Sequence, residues 1–395
     1  MKILHIIPSL FKGGAERLVL DIIKQTLKIK NIEVRLVIFR DEIAYDISEF
    51  NDIISIIPAS VELSITKKWK INIADLQSYI NEYNPDIIHT HLFEAELVSR
   101  FCHYPKAIWF SHFHDNMVQF NKWSWSSISK TKITNWYEKK TLFNRYKKNR
   151  GTHFIAISKH TESYIKSVQS KYPVTLLHNA INVDRFLKPI EHIKKSKQFG
   201  FHSTEDVSLK FSTENDNKQL LKPLINIINI GSFVLKKNQN LLLDILSEFV
   251  KKNIEVKCFF IGDGPLKIEV EKRAQELGIS TNCIFSGNVN KVEEYLWQSD
   301  VYVHTANYEP LGLVLLEAMA AGLPVVTLDG GGNRDLVING KNGFLIQNQN
   351  PEEFADRIIE VYQNKEMSDF NSEFAKQFDI ESYCEKLLNL YKQEH

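Results

Sequence analysis

Between Val301 and Thr327 the chain runs through an apolar strand, a loop closed by Glu309, a helix carrying Glu317 and a second apolar strand. Gly312 stands where that helix begins and Gly322 just past its end, with Pro324 barring continuation. Strand, loop, helix and strand in this order make the parallel-sheet unit whose ligand sits at the strand's carboxyl edge, against the helix N-terminus. Gly312 lets a ligand approach the backbone closely, and the free N–H groups of a first helical turn suit a phosphate. Glu309 lies on the loop and Glu317 more than a turn into the helix, so the two carboxylates have different tasks. Beside a phosphate both would be repulsive, which points them to sugar hydroxyls.

The same grammar organises the rest of the sequence. Residues 2–7 read as a buried strand and 15–30 as a helix, joined through Lys12, Gly13 and Gly14. Two glycines there admit an anion to the helix N-terminus, or simply make a tight turn. Strands follow at 33–39, 52–57, 86–90, 107–110, 154–158 and 174–177, with helices at 71–83 and from Thr131. The pattern then restarts with a strand at 224–230, a turn holding Gly231, Lys236 and Lys237, and a helix at 239–251. The lysine pair makes a phosphate cradle or a solvated basic loop. A strand at 256–261 ends in Gly262 and Gly264, and a helix at 267–277 follows. A strand at 283–286 leads into Gly287, Asn288 and Val289, and a helix spans 292–298. Gly330, Gly331 and Gly332 precede Asn333, which is placed to cap a helix through Ile338. Helices at 351–363 and 380–392 close the chain. The expectation is an α/β protein of two doubly wound domains, 1–186 and 223–368, with a polar linker over 187–222 and a closing segment over 369–395.

A chain of 395 residues suffices for two such domains, and a formal net charge of +1 provides no field for nucleic acid. Cys102, Cys258, Cys283 and Cys384 are scattered without disulfide or zinc-site spacing, as suits a reducing compartment. No apolar run approaches a membrane span or a signal peptide, so a cytoplasmic protein is expected.

Two His-x-His pairs stand at neighbouring strand ends, His89 with His91 and His112 with His114, the last followed by Asp115. In an extended chain each pair faces one side. Such a set has the donors for a metal, but a sugar or phosphate site at the same edge also uses imidazoles as hydrogen-bond donors, and no metal is expected. His114, with His112 beside it, is the candidate for chemistry, and His89 reads as structural. Residues 117–150 hold nine Lys or Arg against one acid, Glu138, and include Trp123, Trp125, Trp136 and Tyr137. Ile133, Trp136, Tyr137, Phe143 and Tyr146 form a rough helical stripe. A basic face bearing Trp suits an anionic membrane surface, while aromatics packed inward beneath solvated lysines explain the same pattern.

Glu309 and Glu317, with Gly312 between them and Ala-Met-Ala-Ala-Gly322-Leu-Pro324 after, resemble the signature of the family 4 retaining glycosyltransferases of the GT-B fold. Gly13-Gly14-Ala-Glu, Pro85-Asp-Ile-Ile-His, Asn179-Ala-Ile-Asn-Val-Asp, Lys237-Asn, Ile261-Gly-Asp-Gly-Pro and Asn342-Gly occur in that family's order, so the resemblance covers nearly the whole chain. It implies two Rossmann-like domains facing across a cleft, with the last helix crossing back to the first. It also implies Glu309 beside the donor sugar, Glu317 on the nucleotide ribose, and Gly312 and Leu313 offering N–H groups to the diphosphate with countercharge from Lys237. Gly13 and Gly14 would border diphosphate and sugar, Gly231, Lys236 and Gly264 would line the donor site, and Gly287 to Val289 would frame the base. His114 or His112 would contact the sugar. Members often carry Arg after the glycine equivalent to Gly231; here that residue is Ser232, leaving Lys236 or Lys237 to compensate.

Transfer from a nucleotide-activated sugar needs stabilisation of the leaving diphosphate, which lysine and helix-end N–H groups supply without a metal. Carboxylates on the sugar side favour an oxocarbenium-like transition state. The expected function is therefore transfer of a hexose-type sugar, most simply from a UDP-sugar, to a glycan or lipid-linked acceptor of lipopolysaccharide or capsule. Residues 117–150 would touch the inner face of the plasma membrane, and no cofactor is expected. The alternatives are a non-catalytic sugar-nucleotide-binding protein, or an epimerase or phosphorylase, on the same fold. The dinucleotide fingerprint of an oxidoreductase is missing.

Overall fold

A computed structural model describes residues 1–65, 67–120, 130–149, 151–189 and 224–394. The chain divides into one unit of Met1–Asn182 with Phe378–His395 and a second of Val183–Gln377. In the first, the strands are β1 (Lys2–Ile7), β2 (Glu33–Ile38), β3 (Ile54–Ile56), β4 (Ser60–Glu62), β5 (Lys70–Asn72), β6 (Ile87–His91), β7 (Ile108–Phe113), β8 (Thr152–Ala156) and β9 (Val174–Leu176). Seven of them form one parallel sheet in the order β3-β2-β1-β6-β7-β8-β9, while β4 and β5 make a separate antiparallel pair. Strands β6 and β7 are buried at every position, as a parallel sheet covered on both faces requires.

The closing helix Ile380–Glu394 belongs to this unit. Its apolar stripe of Ile380, Tyr383, Cys384, Leu387, Leu388 and Tyr391 shares a core with Leu18, Val19 and Ile22 of the helix Gly14–Thr26. A short parallel bridge pins its start, since Ile380 N–H donates to the Ile181 carbonyl at 2.9 Å and Ile181 N–H to that of Phe378 at 3.0 Å.

The second unit carries β10 (Ile225–Ile230), β11 (Val256–Ile261), β12 (Cys283–Gly287), β13 (Val301–His304), β14 (Val325–Leu328) and β15 (Gly343–Ile346), all parallel in the order β12-β11-β10-β13-β14-β15. In both sheets the first strand is central and the order reverses beside it, which makes a crevice at the carboxyl ends of β1 and β6 and another at those of β10 and β13.

Some expectations change. The segment after Gly331 is a short 3-10 turn, Gly332–Asp335, and Asn333 does not cap it. Its buried amide instead donates to Thr327 Oγ1 at 2.9 Å and the Leu328 carbonyl at 3.0 Å, tying the turn to β14. Phe186 and the helix Glu366–Ala375 lie in the second unit, which runs from 183 to 377 where 223–368 was expected. The helices Leu92–Ser99 and Lys159–Val168, and strand β15, are additions. Residues 190–223, most of the expected linker, lie outside the described residues, as do Trp123 and Trp125. Among the described residues no helix is long and apolar enough to cross a membrane.

If the closing helix is core and not decoration, Leu387→Ala will lower unfolding free energy by about 3 kcal/mol. Chemical denaturation followed by fluorescence measures this, and a loss under about 1 kcal/mol would show that the helix is peripheral.

Candidate active site

The crevice of the second sheet is organised on Glu309, which is 8% exposed. Its backbone is fixed from both sides: Glu309 N–H donates to the Gly330 carbonyl at 2.8 Å and Gly332 N–H to the Glu309 carbonyl at 2.9 Å. Both contacts require glycine, because a Cβ at Gly332 would meet the Pro310 carbonyl oxygen at 1.8 Å and one at Gly330 the Glu309 nitrogen at 2.8 Å. The carboxylate receives two hydrogen bonds at Oε2, from Lys237 Nζ at 2.5 Å and from His304 Nε2 at 3.0 Å. Because the ionised Glu309 can only accept, His304 carries its proton on Nε2 and leaves Nδ1 as an acceptor, 3.0 Å from Tyr302 OH, which also lies 3.4 Å from the Ile230 carbonyl. Burial alone would raise the Glu309 pKa, but the Lys237 charge and the His304 hydrogen bond outweigh it and hold it at about 2. His304 itself is kept below its usual range, chiefly by burial.

Lys237 ends the turn Leu235–Lys237 after β10 and is anchored by its own carbonyl, which accepts from Thr305 Oγ1 at 3.0 Å. Lys236 is exposed, and its carbonyl accepts from Asn307 N–H at 2.9 Å. Of the two lysines, the structure therefore brings only Lys237 to Glu309. Three residues on, Gly312 caps the helix Leu313–Ala320, whose Glu317 is half-buried. The charges of Glu309 and Glu317 both bear on the buried hydroxyl of Tyr302. Gly264, with φ +157°, packs so closely that a Cβ would meet the Phe233 carbonyl oxygen at 2.6 Å. Gly231 and Gly287 sit on the neighbouring strand ends, since Gly231 N–H donates to the Ile261 carbonyl at 2.9 Å and Gly262 N–H to that of Gly287 at 2.8 Å. Val289 is half-buried in the loop beyond.

In the first unit, Gly13 precedes the helix Gly14–Thr26 with extended backbone and is held by Tyr45, whose hydroxyl accepts from Gly13 N–H at 3.0 Å and donates to its carbonyl at 2.7 Å. The two His-x-His pairs stand, as expected, at the ends of the neighbouring strands β6 and β7, and His5 of β1 joins them. Register pairs His5 with His89 and His91 with His112, so His5, His89, His91, His112 and His114 form one buried file from the middle of β1 to the carboxyl edge of β7. His5 Nδ1 lies 2.9 Å from His91 Nε2, and His91 Nδ1 lies 3.0 Å from His114 Nε2. His89 Nδ1 bonds the hydroxyl of Tyr391 in the closing helix. Burial depresses all five pKa values, those of His5 and His114 to about 3.

Sequence reasoning missed two members of these sites. His304 reads as part of an apolar strand, although a histidine at a strand's last position, five residues before a loop glutamate, is a usable signal. His5 gives no local signal, because only the pairing of β1 with β6 brings it to His89.

Residues 12–185 match the family profile described as Glycosyltransferase Family 4, and residues 211–378 that of Glycosyl transferases group 1. The chain belongs to glycosyltransferase family 4. It is similar to the poly(ribitol-phosphate) alpha-N-acetylglucosaminyltransferase of Staphylococcus aureus (strain COL), with 31% identity over 41% of this chain and 34% of that enzyme. It is also similar to the putative glycosyltransferase EpsD of Bacillus subtilis (strain 168), with 25% identity over 74% of this chain and 71% of that one. The chain thus spans about a third of the first relative's length and most of the second's. Among solved structures, Anabaena Alr3699/HepE in complex with UDP superposes over all of both chains with a TM-score of 0.75 and 21% identity. The same protein with UDP-glucose gives 0.74 and 19%. Such likeness establishes a shared GT-B fold, with two Rossmann-like domains, and the family membership makes this chain a glycosyltransferase.

The histidine file makes the first unit acid-sensitive. An unfolded imidazole titrates near 6.5, whereas the folded ones take protons only at lower pH, so between 6.5 and about 3 the unfolded chain binds more protons. Stability therefore falls as pH drops through that window, by about 2 kcal/mol per such imidazole at pH 5. Thermal scans of the whole protein should show the midpoint dropping by several degrees or more from about pH 7 to pH 5. A flat midpoint would mean that the folded state accepts these protons.

Proposed function

We propose that this family 4 enzyme transfers a hexose-type sugar, with retention of configuration, from a UDP-sugar to a glycan or lipid-linked acceptor of a cell-surface polysaccharide such as lipopolysaccharide or capsule. The observation that carries the reading is the Lys237–Glu309–His304 arrangement at the crevice beside β10 and β13, three residues before the helix that Gly312 caps. A cation, a permanently ionised carboxylate and helix-end N–H groups are the parts that separating a sugar from a diphosphate requires. The solved neighbour with the same fold holds UDP and UDP-glucose, which favours uridine as the base.

In this proposal Lys237 and the first-turn N–H groups at Gly312 and Leu313 meet the diphosphate as negative charge grows on its leaving oxygen. Lys237 has three protons, and Glu309 takes one, so the others remain for phosphate oxygens. With a pKa of about 2, Glu309 is ionised at neutral pH and suits stabilisation of positive charge on the sugar better than proton donation. Glu317, further along the helix, is assigned to the ribose hydroxyls, and His114, at the carboxyl edge of the first sheet, to the sugar. Lys237 stands in for the arginine that Ser232 replaces. Transfer on this scheme needs no metal.

Calorimetry with UDP and a radiolabelled transfer assay, both in excess EDTA, test the scheme together. Glu309→Ala should lower kcat about 100-fold or more while UDP affinity changes little. Lys237→Ala should weaken UDP binding about tenfold. Equal losses of transfer and affinity in Glu309→Ala, or unchanged UDP affinity in Lys237→Ala, contradict the assigned roles. An activity lost to EDTA and restored by a divalent ion would refute the metal-free step.

We further propose that residues 117–150 touch an anionic membrane surface. Within the helix Lys130–Tyr146, Tyr137 packs against Trp69 and Tyr146 against Phe154, whereas Trp136 is 43% exposed with the Lys140 ammonium 5.1 Å from its ring centre. The aromatic stripe is thus split: part is core, and Trp136 with its lysine faces outward, a pairing suited to a headgroup layer. Flotation with vesicles containing anionic lipid should carry the protein, and carriage independent of anionic lipid would remove this reading.

A further inference from the structure

Part of the buried histidine file is a hydrogen-bonded chain, and such a chain has a direction. A neutral imidazole has one N–H to give and one nitrogen to receive. His91 stands between His5, whose Nδ1 lies 2.9 Å from His91 Nε2, and His114, whose Nε2 lies 3.0 Å from His91 Nδ1. Two settings keep both bonds. In one, His114 Nε2–H donates to His91 and His91 Nε2–H to His5, which puts the proton of His5 on its Nε2. In the other, His5 Nδ1–H donates to His91 and His91 Nδ1–H to His114, which puts the proton of His114 on its Nδ1. Neither His5 Nε2 nor His114 Nδ1 has a partner among the described residues, so the settings differ in which of them holds the unanswered N–H. Orphaned buried N–H groups are rare, and unfilled acceptors less so. His5 is 0% exposed in the middle of β1, whereas His114 is 8% exposed and lies just past the last residue of β7. The second setting keeps the N–H out of the core and brings it to the edge of the sheet, where a ligand can answer it.

We propose that His91, backed by His5, is a positioning residue that holds His114 in its Nδ1–H tautomer, so that His114 meets the donor sugar as a hydrogen-bond donor. The inference rests on the assignment of His114 to the sugar made above and adds the polarity of that contact. Two constraints act on the His114 ring. It stacks on His112 with centres 4.1 Å apart and 24° between the planes, which fixes its plane, and the bond to His91 fixes which nitrogen faces back into the file. An unconstrained neutral histidine carries its proton mainly on Nε2, so the file imposes the less common form. Burial keeps His91 and His114 neutral, and only a neutral ring has a tautomer to select. The sugar group served this way is one that accepts, such as a hydroxyl or acetamido oxygen. An ammonium in its place has only protons to give and is refused.

The test is nitrogen–proton correlation spectroscopy of the histidine-labelled full chain at neutral pH, with His114→Ala identifying the His114 signals by deleting them. In the wild type His114 should carry its proton on Nδ1. In His91→Phe, which keeps a stacked ring and removes both hydrogen bonds, the proton should move to Nε2. A wild-type His114 protonated on Nε2, or an unchanged Nδ1–H form in His91→Phe, overturns the inference. In calorimetry His91→Phe should weaken UDP-glucose about tenfold and leave UDP unchanged, whereas equal effects on the two ligands contradict a role at the sugar. His114→Ala separates the two readings: if it binds UDP-glucose as the wild type does, the assignment of His114 to the sugar fails, while the tautomer seen in the free protein stands. Should His91→Phe fail to fold, the wild type decides. An Nδ1–H signal that shifts with UDP-glucose and not with UDP supports the contact, and one that ignores both refutes it.

Discussion

A carboxylate placed out of water must find compensation or lose its charge, and the second unit is arranged around that requirement at Glu309. The desolvation cost of such an ion amounts to several kcal/mol. It is met by a lysine from the loop after β10 and a histidine at the end of β13, while the glutamate's own backbone is tied to the loop after β14. Three separate connections at the carboxyl edge are thereby held to one residue. The arrangement also sets the protonation states: Tyr302 orients His304, and His304 and Lys237 keep Glu309 ionised. The charge of Lys237 is thus balanced by Glu309 within the unit itself.

The first unit meets burial of titratable groups in the opposite way. Its imidazoles are stacked and partnered mainly with one another, with His112 and His114 ring centres 4.1 Å apart. Among the described residues no carboxylate is bonded to them, desolvation dominates, and all are neutral. At one edge a strong local field keeps a group charged; at the other, the lack of one keeps a row of groups uncharged.

How much of this is legible in sequence depends on whether the signal is local. Strand β1, the helix Gln239–Lys251, strand β11 and the helix Pro351–Gln363 fall where periodicity, glycine and proline place them, because each carries its own punctuation. The helix Leu92–Ser99 lacks it: most of its residues are buried and it has no amphipathic stripe to read. Asn333 looks like a cap because asparagine is among the residues preferred at helix N-termini, and only the tertiary pairing with Thr327 and Leu328 gives it another task. At the candidate site the residues of the signature, Glu309, Gly312 and Glu317, are evident from spacing, but the ion pair with Lys237 joins positions far apart in the chain and no spacing reveals it. The merging of two histidine pairs with His5 likewise depends on which strands are neighbours.

The discontinuity of the first unit has a consequence for biosynthesis. Val183–Gln377 is one uninterrupted stretch and can complete its core soon after it leaves the ribosome. The sheet of the first unit is translated earlier, yet the face that Leu387, Leu388 and Tyr391 cover must wait for the entire second unit to be made. Translation order and order of completion are therefore reversed. Until Phe378–His395 emerges, the apolar side of the helix Gly14–Thr26 and the ring of His89, which Tyr391 meets, stay open to water or to a chaperone.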